Sequence, residues 1–67
     1  MANIEALKEK ISDTGMPIST LAKRAGITRG TLYNRLAGVG EFTASEIMGI
    51  TSSLKLTRTE RERIFFN

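Results

Sequence analysis

A chain of 67 residues with neither cysteine nor histidine has few ways to hold itself together. Below ~70–80 residues one apolar core rarely contributes more than ~3–5 kcal/mol. Small domains make up the difference with disulfides, structural metals or association. Disulfides are excluded here, and carboxylates alone do not build zinc or iron–sulfur centres. What remains is tight helix packing, helped by association. Apolar residues make up 40% of the chain, enough for a core and too many for a disordered segment. The longest run of large apolar residues, Ile64-Phe65-Phe66, is too short to span a bilayer. Met1 to Glu5 shows neither the charged start nor the apolar stretch of a signal peptide. No membrane association is expected, and the lack of cysteine fits a reducing, cytoplasmic compartment.

Hydrophobic spacing predicts an all-α chain of five short helices in one domain, 1–67. Ile4, Leu7 and Ile11 fall on one face of a first helix. Gly15 suits the left-handed residue that ends it, and Pro17 prevents continuation. A second helix is expected over Ile18 to Ala25, with Leu21, Ala22 and Ala25 as a narrow apolar face. Gly26 closes it, and Thr28 is a good N-cap for the third helix, whose buried edge is Leu32 and Leu36. Gly38-Val39-Gly40 reads as a loop. Thr43 with Glu46 and Thr57 with Glu60 are capping boxes opening a fourth helix and a fifth over Arg58–Phe66, and Phe42 and Ile47 have the spacing of a hydrophobic staple. Gly49 inside the fourth helix costs ~1 kcal/mol relative to alanine; close helix contact is one reason for it and chance another. No segment alternates with period two, so no strand is expected.

The net charge of +3 says little, but its distribution says more. No acidic residue lies between Asp13 and Glu41, whereas Lys23, Arg24, Arg29 and Arg35 all do. Both flanking segments are near neutral. A polyanion such as nucleic acid is the natural partner of such a stretch, and a solvated surface that happens to lack acids is the plainer reading.

That stretch, residues 18–37, consists of two helices joined by a turn containing glycine. So short a link forces a large crossing angle. Leu21 and Leu32 seal the angle from inside, small Ala22 permits it, and the third helix becomes a protruding rod. At 100° per residue, Gly30, Tyr33, Asn34 and Ala37 lie opposite Leu32 and Leu36, with Arg29 at the edge of that arc and Arg35 on the far flank.

In Leu21-Ala22, Gly26-Ile27, Thr28, Leu32, Leu36, Gly38 and Phe42 followed by a capped helix, the chain resembles the phage repressor/Cro helix-turn-helix family along nearly its whole length. The resemblance implies a lambda-repressor-like domain, a recognition helix at about 28–37 that enters the major groove of double-stranded DNA, and a role in transcription regulation. The positions matching the family's base-reading sites are Thr28, Arg29, Gly30, Tyr33 and Asn34; those matching its backbone contacts are Lys23, Thr31 and Arg35. There are two departures. Where the family often has a phosphate-contacting glutamine, this chain has Ile18 behind Pro17, and where it often has an apolar residue, this chain has Arg35.

Each of these side chains has a chemical use and a plainer one. Arg29 can donate twice to guanine, and Asn34 can pair with adenine; either can also simply be solvated. Tyr33 can pack on a thymine methyl, bond a phosphate, or lie partly buried on the domain. Gly30 lets backbone approach DNA, or is merely tolerated in a first turn. Thr28 is a cap first and a contact second. Phe65 and Phe66 either close the core or anchor a dimer, and both hold if Phe65 points in and Phe66 out. An enzyme is not expected: no histidine or cysteine is available as base or nucleophile, and no glycine-rich phosphate loop is present. No cofactor, metal or small-molecule ligand is expected. The expected partner is a DNA operator bound by a weak two-fold homodimer, with half-sites about 34 Å apart. The alternative is a helical protein-binding module, antirepressor or antitoxin-like, that does not touch DNA.

Overall fold

Each helix begins where a side chain or a proline can start it. The computed structural model describes residues 1–66, in which α1 (Ile4–Thr14), α2 (Ile18–Ala25), α3 (Arg29–Leu36), α4 (Ala44–Leu54) and α5 (Arg58–Phe65) follow one another. No strand occurs among the described residues. The Asn3 side chain accepts the Ala6 amide to cap α1. Thr28 accepts the Thr31 amide to cap α3. Both expected capping boxes are complete: Thr43 and Glu46 exchange hydrogen bonds at α4, as do Thr57 and Glu60 at α5. Phe66 follows α5 as its C-cap rather than its last turn.

The turn between α2 and α3 is set by Gly26, which adopts a left-handed φ of 72°. Its conformation lets the Ile27 amide reach back to the Ala22 carbonyl at 2.9 Å, the six-to-one bond of a Schellman motif. Lys55 plays the same part after α4 with φ 52°, which glycine-based reading of the sequence did not anticipate. The Leu56 amide there returns to the Thr51 carbonyl.

The core draws on all five helices. Leu7, Leu21, Leu32 and Ile50 are fully enclosed, and Ala6, Ile11, Ala22, Leu36, Leu54, Ile64 and Phe65 complete it. Phe65 meets Phe42 edge to face, ring centroids 5.3 Å apart, a geometry favoured by the ring quadrupoles. Of the options open for the two phenylalanines, the structure has Phe65 pointing in and Phe66 standing exposed.

Among the helix pairs, α2 packs most extensively on α4, and α3 leans on α2. Gly49 explains how α2 and α4 come so near. A Cβ at Gly49 would run into the Ala25 carbonyl oxygen and lie 3.0 Å from Ala25 Cα. The open question about this glycine is thus answered by close backbone contact. The chain ends are joined separately: the Asn3 amide donates to the Ile64 carbonyl at 2.6 Å. Lys10 of α1 pairs with Glu60 of α5 at 2.7 Å. Among the described residues, no helix is long and apolar enough to cross a membrane.

Gly49→Ala gains ~1 kcal/mol of helix propensity but must push α2 off α4, an overpacking cost of typically ~1–3 kcal/mol. We expect a net loss of stability, read as a lower urea midpoint. The Glu60 carboxyl is held down at about 2 from 4.5, first by its hydrogen bond from Lys10 and then by the Thr57 amide. A carboxylate with a depressed folded pKa stabilises above its unfolded value and loses that contribution as pH falls through the folded one. The melting temperature is accordingly expected to drop as pH falls from 4.5 towards 2, and Lys10→Met should flatten that drop in a pH series followed by circular dichroism.

Candidate nucleic-acid interface

Helix α3 turns only Leu32 and Leu36 into the core. Its other faces follow from that choice, because 100° per residue leaves Gly30, Tyr33, Asn34 and Ala37 outward, while Arg29 is the residue that opens the helix; all five are exposed. No acidic residue is present on this helix. Five of the candidate positions thus come together on one short surface: Thr28, Arg29, Gly30, Tyr33 and Asn34. The α3 C-terminus is closed by its own backbone, the Val39 amide donating to the Asn34 carbonyl at 2.8 Å, so the Asn34 side chain is not needed for capping.

Thr28 is committed locally. Its oxygen accepts the Thr31 amide at 3.2 Å, and its hydroxyl donates to the Thr31 hydroxyl at 2.8 Å. Thr31 is half-buried and engaged in the same pair. Tyr33 is 55% exposed. Its ring borders a groove floored by Ile11, Ile18 and Leu36, with Lys8 at the rim. Its partial packing on the domain and its outward position hold together. Lys8 was not singled out from the sequence, because the local charge of the first helix is negative and gives no signal there.

Lys23 and Arg24 are exposed on the last turn of α2 and, with Ser19 and Thr20, frame a shallow depression. Pro17 begins α2 without a side-chain hydrogen bond. The first amides of that helix therefore remain available to an anion.

Arg35 is placed differently from expectation. It is turned away from the exposed face and clamped against α4. Its Nε donates to Glu46 Oε1 at 3.2 Å, one terminal nitrogen donates to Glu46 Oε2 at 3.5 Å, and the other donates to the Val39 carbonyl at 3.2 Å. Glu46 Oε1 also accepts the Thr43 amide at 3.0 Å. One carboxylate thereby starts α4 and holds the end of α3. Gly40, with φ 74°, makes room for this: a Cβ there would strike the guanidinium, whose Cζ would be 3.1 Å away. The guanidinium expected to reach a phosphate is thus engaged within the chain by Glu46 and the Val39 carbonyl. The departure noted from the sequence, an arginine where an apolar residue is common, has its explanation in Glu46.

Among the described residues, only Lys10 and Arg35 form ion pairs within the chain. Lys23, Arg24 and Arg29, on the α2–α3 side, are among the basic residues left without an internal counter-charge, as are Lys8, Lys55, Arg58, Arg61 and Arg63. No cluster of three or more acidic residues that could hold a metal occurs among the described residues. Compared with family models, curated proteins and solved structures, the chain finds no match.

Breaking one half of a partly buried pair strands the other half. Arg35→Met and Glu46→Gln are each expected to cost about 1–2 kcal/mol. Because they cut the same clamp, their effects should fall short of additivity by roughly 0.5 kcal/mol or more in a double-mutant cycle by urea unfolding.

Proposed function

We propose that this chain is a sequence-specific double-stranded DNA-binding protein of the small-repressor or Cro type, a lambda-repressor-like domain with α3 as its recognition helix. The observation that carries this reading is the α3 surface: acid-free, exposed, and bearing Arg29 and Asn34, whose side chains have no hydrogen-bond partner among the described residues. An eight-residue helix is ~12 Å long, a length that fits into the major groove. Arg29 reads guanine through O6 and N7, and Asn34 reads adenine through N6 and N7. Tyr33 packs on a thymine methyl or an adjoining sugar, while Gly30 lets the α3 backbone come close. Lys23, Arg24, Thr31 and the uncapped start of α2 serve the phosphates, which position the domain without specifying sequence. The chain then regulates transcription in the cytoplasm of a bacterial host as a two-fold dimer on an operator. It needs no cofactor or small-molecule ligand and carries out no catalysis.

Selection of bound sites from random DNA supplies the operator, and a salt titration on that operator supplies the test. The logarithm of affinity should fall linearly with the logarithm of salt, by ~0.9 per phosphate contact. A helical module that binds another protein instead would show no DNA binding or a flat response. Arg29→Ala is expected to cost ~1–3 kcal/mol on the operator and to relax preference at one base position. An equal loss on every sequence would reduce Arg29 to a backbone contact.

A further inference from the structure

The two ends of α3 are fastened by different means. Its start is fixed by the chain beside it: Gly26 makes the turn, the Ile27 amide bonds back to the Ala22 carbonyl, and Thr28 caps the helix. Its other end runs into Gly38-Val39-Gly40, where both glycines have positive φ, 84° and 74°. Helix packing joins α3 to α2 and far less to α4. A relay of hydrogen bonds ties that end down instead. The Asn34 carbonyl accepts the Val39 amide at 2.8 Å, and the Val39 carbonyl accepts a terminal nitrogen of Arg35 at 3.2 Å. Arg35 Nε in turn donates to Glu46 Oε1 at 3.2 Å, on the first turn of α4. Only 19% of the Arg35 side chain and 14% of the Glu46 side chain are exposed, so solvent screens this pair less than a surface one.

We propose that Arg35 and Glu46 are positioning residues for base readout: they set the angle of α3 so that Asn34 reaches its base, and they do so without touching DNA. This role rests on the DNA-binding reading of α3. Lever length supplies the reason. Arg29 stands beside the Gly26 turn, whereas Asn34 lies further along the helix, ~7.5 Å away at a rise of 1.5 Å per residue. A swing of ~10° about the turn therefore moves Asn34 by ~1.3 Å and Arg29 hardly at all. Paired hydrogen bonds to a base edge hold their geometry only within ~0.5 Å. Releasing the end of α3 thus blurs the base read by Asn34 and spares the one read by Arg29. The clamp also requires a guanidinium. Lysine keeps the charge but lacks the planar fork that reaches the Glu46 carboxylate and the Val39 carbonyl together. A phosphate, in contrast, accepts lysine as a point charge.

The test is selection from random DNA by the full chain, by Glu46→Gln and by Arg35→Lys, followed by affinities on the selected site and on unrelated DNA. Asn34→Ala and Arg29→Ala identify the base that each side chain reads. Both clamp variants should lose about fivefold or more of the preference at the Asn34 base. They should keep the preference at the Arg29 base, the affinity for unrelated DNA and the salt slope. Partial unfolding lowers every affinity by one factor and cancels in the ratio between bases, so lost stability alone does not imitate this result. An unchanged profile overturns the proposal, and so does an equal loss at both bases. A salt slope that falls by ~0.9 in Arg35→Met makes Arg35 a phosphate contact and overturns it too. Residual dipolar couplings read the same swing without DNA: those of α3 should shift or shrink in Glu46→Gln while those of α2 and α4 hold, and unmoved couplings overturn the positioning. If the unaltered chain selects no sequence, the DNA-binding reading falls and takes the readout role with it; an unchanged profile removes the role alone.

Discussion

The placement of α2 on α4 governs everything that α3 can present. α3 has little packing of its own beyond two leucines, and it leans on α2. α2 in turn lies against α4 at a point where the Ala25 carbonyl faces a helix surface without a side chain. Backbone-to-backbone contact of this kind leaves little slack, because no flexible side chain can adjust between the two helices. The placement of α3 is thus set by the α2–α4 contact together with the Arg35–Glu46 clamp.

A second constraint divides the basic side chains into two groups. Lys10 and Arg35 are used inside the domain, one joining α1 to α5 and the other joining α3 to α4. Lys23, Arg24 and Arg29 have no such employment. The acid-free interval from Thr14 to Gly40 makes this division possible, since nothing local competes for the exposed cations. Glu46, just beyond the interval, takes the one arginine that faces inward. Lys8, Lys55, Arg58, Arg61 and Arg63 are likewise unpaired among the described residues, so the α2–α3 side is set apart by its lack of acids and not by holding all the free cations.

Most of the architecture was legible because its signals are local. Capping threonines, paired glutamates and glycines at helix ends act within four residues of themselves, and the structure uses them as read. Phe65 and Phe66 were separable only as one of several options, since two adjacent aromatics carry no period. Contacts between distant residues escaped. Lys10 and Glu60 are separated by 50 positions, and each has an equally good local reading as a solvated helix residue. Arg35 was read by its angle on an isolated rod, which ignores that a long side chain can bend back to a carboxylate on the next helix. Lys55 takes a left-handed conformation without being glycine, so composition gave no hint of it. The surface of α3 was legible to the extent that burying Leu32 and Leu36 forces its neighbours outward.

The stitch between Asn3 and Ile64 links the first and last turns of the fold directly. Ordinarily the two extremities of a chain loosen independently. Here the cap of α1 and the last turn of α5 share a hydrogen bond, with the Lys10–Glu60 bridge behind it, so release of either deprives the other of its support. Amide exchange at Asn3, Ala6 and Leu7 and at residues 64–66 should then report a single concerted opening, with one common free energy rather than two.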